Sequence, residues 1–375
     1  MEFVNLPDIQ FTDQQVQSIK DAVLTSIEAK TGRTMNRADP DRIFMLALVD
    51  EIIQLRVLID QVKKGDLLKY ARGGALEHLG AFYNVYRLDA EAARTTIRFT
   101  LSMPLTSPQT IPAGTRVGVQ NSGGAMYFST TEAAVIPAGG TVKDISAAAS
   151  VTGTAGNGFI PGQVNTIMDP LPYVQSAVNV TESAGGADVE SDEALRTRIR
   201  LAPESFSAAG PREGYIYWAK TASPAIIDVA AVSPADREVL VIPLLQGGEL
   251  PTQDIIYQVS AAVNDRAVRP LTDHVTVQAP EVVPYDITLT YYISSSNVAA
   301  ETTIQAAVNK AIDEYRLWQK SKLGRDINPS ELIWRVKSAG ALRVDVSAPT
   351  NIEVSELQVA QEGNVNITYG GLADD

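Results

Sequence analysis

Two stretches near the start of the chain carry apolar side chains at helical spacing. Val16, Ile19, Val23 and Ile27 fall on one stripe, with Thr12 or Asp13 placed to cap the helix they predict. A second helix is predicted from Asp41 to about Lys64. Its apolar positions run from Ile43 to Ile59 and include Phe44, Leu48, Ile52, Leu55 and Leu58, a surface wider than covering one core face requires. Such a helix is expected to be buried on more than one side, either at the centre of its own domain or with part of its surface against another subunit. The second possibility makes Ile43, Leu46, Val49 and Ile53 the candidate subunit interface. A shorter helix is predicted from Ala75 to Tyr83, after Gly73-Gly74.

From Thr95 to Glu182 the spacing changes to short alternating runs between turn clusters, as in Thr96-Ile97-Arg98-Phe99-Thr100-Leu101. Only Arg98, Arg116, Glu132, Lys143, Asp144, Asp169 and Glu182 are charged there, and proline and glycine are frequent, so the segment reads as a small all-β module. Ile-Pro-Ala-Gly occurs twice, at Ile111 to Gly114 and Ile136 to Gly139. Proline sets the entry and glycine permits the bend, so each copy is expected to launch a strand.

Beyond Glu182 the pattern alternates. Asp188, Glu190, Asp192 and Glu193 precede Arg196, Arg198 and Arg200, the charge order that suits a helix dipole. Gly210-Pro211 opens a second helix carrying Tyr215, Trp218 and Ala219. Strands are predicted at Ile226 to Val232 and Val239 to Leu245, and a helix from Thr252 to Val268. A long strand follows at Val282 to Ile293, with Tyr285, Ile287, Leu289 and Tyr291 on one face. Next comes a helix with Ile304, Val308, Ile312 and Tyr315 aligned, and another starting at Asn328-Pro329. Strands at Leu342 to Val346, Val354 to Val359 and Asn364 to Tyr369 close the chain. The expected fold class is α+β and multidomain: a helical region over 1–94, an all-β module over 95–182 inserted between body segments, and a helical hairpin with an α+β domain over 183–375.

Order and spacing carry a resemblance. Gly185-Gly186-Ala187-Asp188, the acidic residues, Glu193-Ala194-Leu195-Arg196 with Arg198-Ile199-Arg200, then Gly210-Pro211 with Gly214-Tyr215 and Ile226-Ile227-Asp228-Val229, together resemble the baseplate J-like family; so does Leu76-Glu77-His78-Leu79-Gly80. The resemblance covers roughly Ala75 to Val346. It implies a structural wedge component of a contractile phage tail or related injection system, located in the baseplate. It also implies contacts with other copies and with neighbouring wedge, hub and sheath-proximal proteins, and rearrangement on contraction. Under that reading interfaces carry the function. A receptor- or carbohydrate-binding tail protein using the β module is one alternative, and a tail-associated hydrolase is another.

Composition narrows the chemistry. A net charge of −13 argues against nucleic acid as a main partner, and Arg196/Arg198/Arg200 and Lys320/Lys322/Arg325 are read as solvated helix ends. With no cysteine and only His78 and His274, both expected to be structural or surface residues, no His-rich metal centre, disulfide or thiol nucleophile is expected. No Gly-x-Ser-x-Gly elbow is present, and Gly153 to Gly158 lacks the Lys-Ser/Thr of a phosphate loop, so it is read as a turn. No catalytic, cofactor-binding or metal residues are assigned, and no cofactor is expected. Asp188, Glu190 and Asp192 lack the glycine and distal glutamate of a calcium loop. The longest wholly apolar run, Ile43 to Val49, is far short of a membrane span, and Met1 to Asn5 shows no secretory pattern, so synthesis in the host cytoplasm is expected. The sequons at Asn179 and Asn366 carry little weight without an export signal.

Overall fold

A computed structural model describes residues 6–120, 125–206, 211–266 and 268–374. Met1 to Asn5 and Gly210, used above, lie outside the described residues. The chain divides into two compact units, one formed by residues up to Tyr86 together with Ser191–Arg200, the other by Arg87–Glu190 and Leu201–Asp375.

The first unit is helical. Helix α1 (Val16–Thr31) starts after Gln15 without a side-chain cap, later than the expected Thr12 or Asp13. Thr12 instead donates to the Arg56 carbonyl, and Asp13 accepts from the Gln15 amide. Gly32, at φ +68°, ends α1 in the left-handed conformation that glycine adopts without a Cβ clash. Helix α2 (Pro40–Gly65) opens with proline in its first turn and Asp39 accepting from the Asp41 amide. Helix α3 (Gly73–Ala81) and helix α4 (Asp192–Leu201) complete the unit.

The structure corrects the reading of α4. The helix begins at Asp192, so Asp188 and Glu190 lie upstream of its first turn. Arg196 and Arg198 are buried: Arg196 donates to the carbonyls of Leu68 (2.8 Å) and Ala71 (2.7 Å) and pairs with Glu193, while Arg198 reaches the Tyr86 carbonyl at 2.5 Å. Buried guanidinium groups need such fixed acceptors, and here they satisfy backbone carbonyls of the segments that follow α2 and α3.

The second unit begins with the β module. Strands β1 (Ala92–Leu101), β2 (Gln109–Ile111), β3 (Arg116–Val119), β4 (Tyr127–Thr130), β5 (Ala134–Ile136), β6 (Val142–Thr152), β7 (Val164–Ile167) and β8 (Val174–Asn179) form a six-stranded sheet, in the order β7-β3-β4-β6-β1-β8, plus the β2-β5 ribbon. The two Ile-Pro-Ala-Gly copies act alike. Ile111 and Ile136 are fully buried, Gly114 and Gly139 both take φ +79°, and β3 and β6 follow. The sheet curls around Ile97, Phe99, Ile111, Phe128, Ile136 and Ile145, and Asn179 joins its first and last strands. The buried Asn179 side chain accepts from the amides of Gly162 and Val164 and donates to the carbonyls of Phe159, Ile160 and Thr181. The Gly153 to Gly158 turn packs here too. A Cβ on Gly186 would lie 2.4 Å from the Gly153 carbonyl oxygen, which explains the second glycine of the Gly185-Gly186 pair.

Helix α5 (Arg212–Thr221), strands β9 (Ile226–Val232) and β10 (Glu238–Leu245), helix α6 (Gln253–Val263) and strand β11 (His274–Val277) form the next layer, with sheet order β11-β10-β9. α6 ends at Val263, short of the expected Val268. Tyr215, Val229, Val241, Ile255 and Val259 fill one side of this sheet, and Ile242 and Leu244 on the other meet Leu323 and Val359.

The last layer is strand β12 (Glu281–Ser294) between antiparallel β13 (Arg343–Ala348) and parallel β14 (Gln358–Ala373), with helices α7 (Glu301–Lys320) and α8 (Pro329–Ser338) on one face. β14 is a single strand of 16 residues that runs through the bulge near Gly363 and contains the expected Asn364 to Tyr369; of the strand expected at Val354 to Val359 only Gln358 and Val359 belong to it, and Val354 to Leu357 form no strand. Lys320 and Arg325 also depart from the solvated reading. Lys320 and Arg316 converge on Glu362 at 3.3 and 3.0 Å, and Arg325 lies 4.1 Å from the Trp318 ring centroid, where burial lowers its pKa. Burial likewise raises the Tyr315 hydroxyl to about 12.

Candidate subunit interface

α2 has two unlike sides. At 100° per residue, Val49, Ile53, Arg56 and Asp60 fall on one face. α1 covers the first part of it: Val49 and Ile53 are buried with Ile19, and Val23 packs against them. The extended segment before α1 continues this cover. The Phe11 amide donates to Asp60 at 2.7 Å, Thr12 bonds the Arg56 carbonyl, and the Ile9 amide reaches the Tyr70 hydroxyl. Asp8 closes the far end by pairing with Lys69 at 2.9 Å.

On the opposite side Phe44, Leu48, Ile52, Leu55, Leu58, Ile59 and Val62 lie open, with Ile43 beside them. These eight side chains are between 42% and 62% exposed. Leu48, Ile52, Leu55, Ile59 and Val62 are separated by steps of four, three, four and three, the spacing of a coiled-coil seam. The seam runs on past Leu58 and Val62 to a groove completed by Leu79 and Phe82 of the α3 region. Half-burying eight such side chains is worth on the order of 10 kcal/mol gross, comparable to the entropic cost of association. An apolar face of this extent is unusual on a protein that works alone.

The four residues expected at the interface are therefore divided. Ile43 is exposed and Leu46 partly so, whereas Val49 and Ile53 are spent on packing against α1 within the same chain. The expectation that α2 is enclosed on several sides does not hold among the described residues, which cover one face. The four expected residues left out Leu48, Ile52, Leu55, Ile59 and Val62, for which the four–three spacing was the available signal.

The cover on the inner face depends on pH. The Lys64 ammonium, 2.8 Å away, and then the Phe11 amide hold the Asp60 carboxyl below its usual range; Lys69 does the same for Asp8. Because these groups titrate lower in the folded chain than unfolded, their contribution is complete above about pH 4 and is lost as pH falls through the lower folded value. Protection of the Phe11 amide against hydrogen exchange is expected to persist at mild acidity and to collapse below about pH 4. Asp60→Asn should weaken it above that pH and flatten its dependence on acid. Protection unchanged through strong acid would contradict this role.

Elsewhere the chemistry-bearing residues stay apart from any built site. His78 is exposed on α3 and His274 is exposed at the start of β11. Among the described residues no group of three or more His, Asp or Glu side chains is placed to hold a metal ion, and no helix is long and apolar enough to cross a membrane. In the β module Phe99 and Phe128 are sealed in the core and Phe159 stacks edge-on against Phe128, while Tyr173 is mostly exposed.

Three family models match in succession: Baseplate J-like protein barrel domain over 96–186, Baseplate J-like central domain over 207–279 and Baseplate J-like protein C-terminal domain over 285–368. Baseplate protein J of Escherichia phage P2 is 30% identical over 187 residues, covering 49% of this chain and 61% of the relative, so the match spans about three fifths of that protein. Baseplate protein gp47 of Escherichia phage Mu is 28% identical over 305 residues, 75% of this chain and 77% of that one. A solved structure, the cryo-EM structure of the anti-feeding prophage baseplate, aligns over 91% of this chain and 90% of its own at 14% identity with a TM-score of 0.40.

Proposed function

This chain belongs to the baseplate J-like family, and from that premise we propose that it is a structural wedge component of a contractile-tail or injection-system baseplate. In this reading it assembles with further copies of itself and with neighbouring wedge, hub and sheath-proximal proteins, and its contacts rearrange when the tail contracts. The names of the phage P2 and phage Mu relatives support the placement. The observation that carries the reading is the outer face of α2: a 26-residue helix covered by its own chain on one side and apolar on the other.

A four–three seam with Ile52 and Ile59 alternating with Leu48, Leu55 and Val62 is suited to another helix. Contraction requires elements that hold two arrangements, and helix seams between subunits can slip or separate while each subunit stays folded. Interfaces rather than a reacting centre then do the work.

The direct test is genetic. Deleting the chain from the element that encodes it is expected to leave no tails bearing a baseplate, and supplying it in trans should restore them. Tails of normal form without it would contradict the proposal.

A further inference from the structure

The C-terminal sheet has two edges of opposite character. β13 is short, carries Arg343 and Asp345, and runs into Pro349. Charges, brevity and proline are the usual means of keeping a sheet edge from pairing. β14 has neither charge nor proline along its exposed half. From Gly363 to Ala373 there is no charged residue and no proline, and the stretch Val365-Asn366-Ile367-Thr368-Tyr369 is rich in strand-forming side chains. Its inner edge pairs with β12, with Ile287 opposite Val365 and Tyr291 opposite Tyr369. Among the described residues no strand pairs with its outer edge. Further back the outer edge is occupied, since the Gly324 amide donates to the Gln358 carbonyl.

The open window is bounded. Register shifts fall between the pairs Tyr285/Glu362 and Ile287/Val365, and again between Tyr291/Tyr369 and Ile293/Leu372, so a bulge lies on each side of the five regular residues. Bulges bend a strand and interrupt pairing, which confines any added strand to this window and fixes its register.

We propose that β14 is a strand-pairing surface for a second copy of this chain, which adds its own β14 antiparallel about Ile367. That register places Val365 opposite the second copy's Tyr369, Asn366 opposite its Thr368, and Ile367 opposite its Ile367. Each is a favourable cross-strand pair: β-branched with aromatic, amide with hydroxyl, aliphatic with aliphatic. A segment without charge meets no like-charge repulsion when it faces itself, which a basic or acidic edge would. The two sheets then join into one. This contact lies in a different unit from α2 and does not rest on the α2 reading.

The absence of cysteine makes the register directly testable. Ile367→Cys, Asn366→Cys and Thr368→Cys are each oxidised as the purified full chain, along with an equal mixture of the last two. Opposed residues in an antiparallel ladder alternate between hydrogen-bonded and non-hydrogen-bonded pairs. Either the Ile367→Cys pair or the mixed Asn366→Cys/Thr368→Cys pair therefore falls on the closer type, with Cβ atoms near disulfide distance. At least one of these two is expected to give about tenfold more disulfide-linked dimer than Asn366→Cys alone or Thr368→Cys alone. Introducing lysine at both 366 and 368 should prevent association through this edge, and Asn366→Lys with Thr368→Glu should restore it. Linkage that is equal at all positions, or absent at all of them, overturns the proposal.

Discussion

Replacing Leu55 and Ile59 together by glutamate is expected to abolish incorporation of this chain into particles while leaving it folded. Both side chains stand on the outer face of α2, more than half exposed, so a carboxylate there stays in water in the free chain. Helix content and melting temperature should remain close to wild type, within about 2 °C. In a closed seam the same carboxylates would be desolvated without partners, which costs several kcal/mol at each site. Val49→Glu is the informative contrast. Val49 is 1% exposed against α1, so a charge there should break the α1–α2 pair itself, with a loss of at least about 3 kcal/mol. If α2 were instead an internal helix of a self-contained domain, the Leu55/Ile59 variant would unfold as readily as Val49→Glu. Assembly at wild-type yield from the Leu55/Ile59 variant would remove the outer face from the interface.

The second large effect is expected at Asn179. Its amide accepts from two backbone N–H groups and donates to three carbonyls where the sheet order begins and ends, at β7 and β8. Asn179→Ala strands those groups in the interior. Each buried polar group left without a partner costs about 1–3 kcal/mol, so a total near 4 kcal/mol or more is expected after partial relaxation. For a unit of this size that lowers the melting temperature by about 10 °C. Asn179→Asp should not rescue it, because a carboxylate keeps the two acceptor bonds but faces three carbonyls with no proton to give. A loss below about 1 kcal/mol in either variant would show that β7 and β8 are held together by other means. The burial of Asn179 also removes it as a glycan acceptor in the folded chain.

What was legible in the sequence was local. The two Ile-Pro-Ala-Gly turns could be read because proline and glycine act within four residues, and both copies do the same thing in the structure. The alternation in β12 was legible because one face is fully covered by α7 and α8. Misreadings came where the deciding partner lies far along the chain. Arg196 and Arg198 look like dipole-favouring helix ends, yet their acceptors at Leu68, Ala71 and Tyr86 are more than a hundred residues upstream. The strand expected at Val354 was misplaced because Val354 is buried without joining a ladder, and only pairing with β12 shows that the strand starts at Gln358 and runs on through Gly363.

The α2 face shows both limits together. Its apolar width was visible, and so was the idea that part of it meets another subunit. Periodicity does not say which apolar residues the chain itself covers. Here the answer turns on the Asp60 carboxylate, which with the Arg56 backbone carbonyl docks the segment before α1 and so assigns the inner face. The outer face follows by elimination.

The measurement that bears most directly on this is thiol labelling at a single introduced cysteine, Leu55→Cys, compared between the free chain and the assembled baseplate. The account predicts rapid labelling in the free chain and about tenfold or greater protection after assembly, with a cysteine at exposed Thr166 reactive in the free chain as a control. A Leu55→Cys thiol that labels equally fast in both states would contradict it.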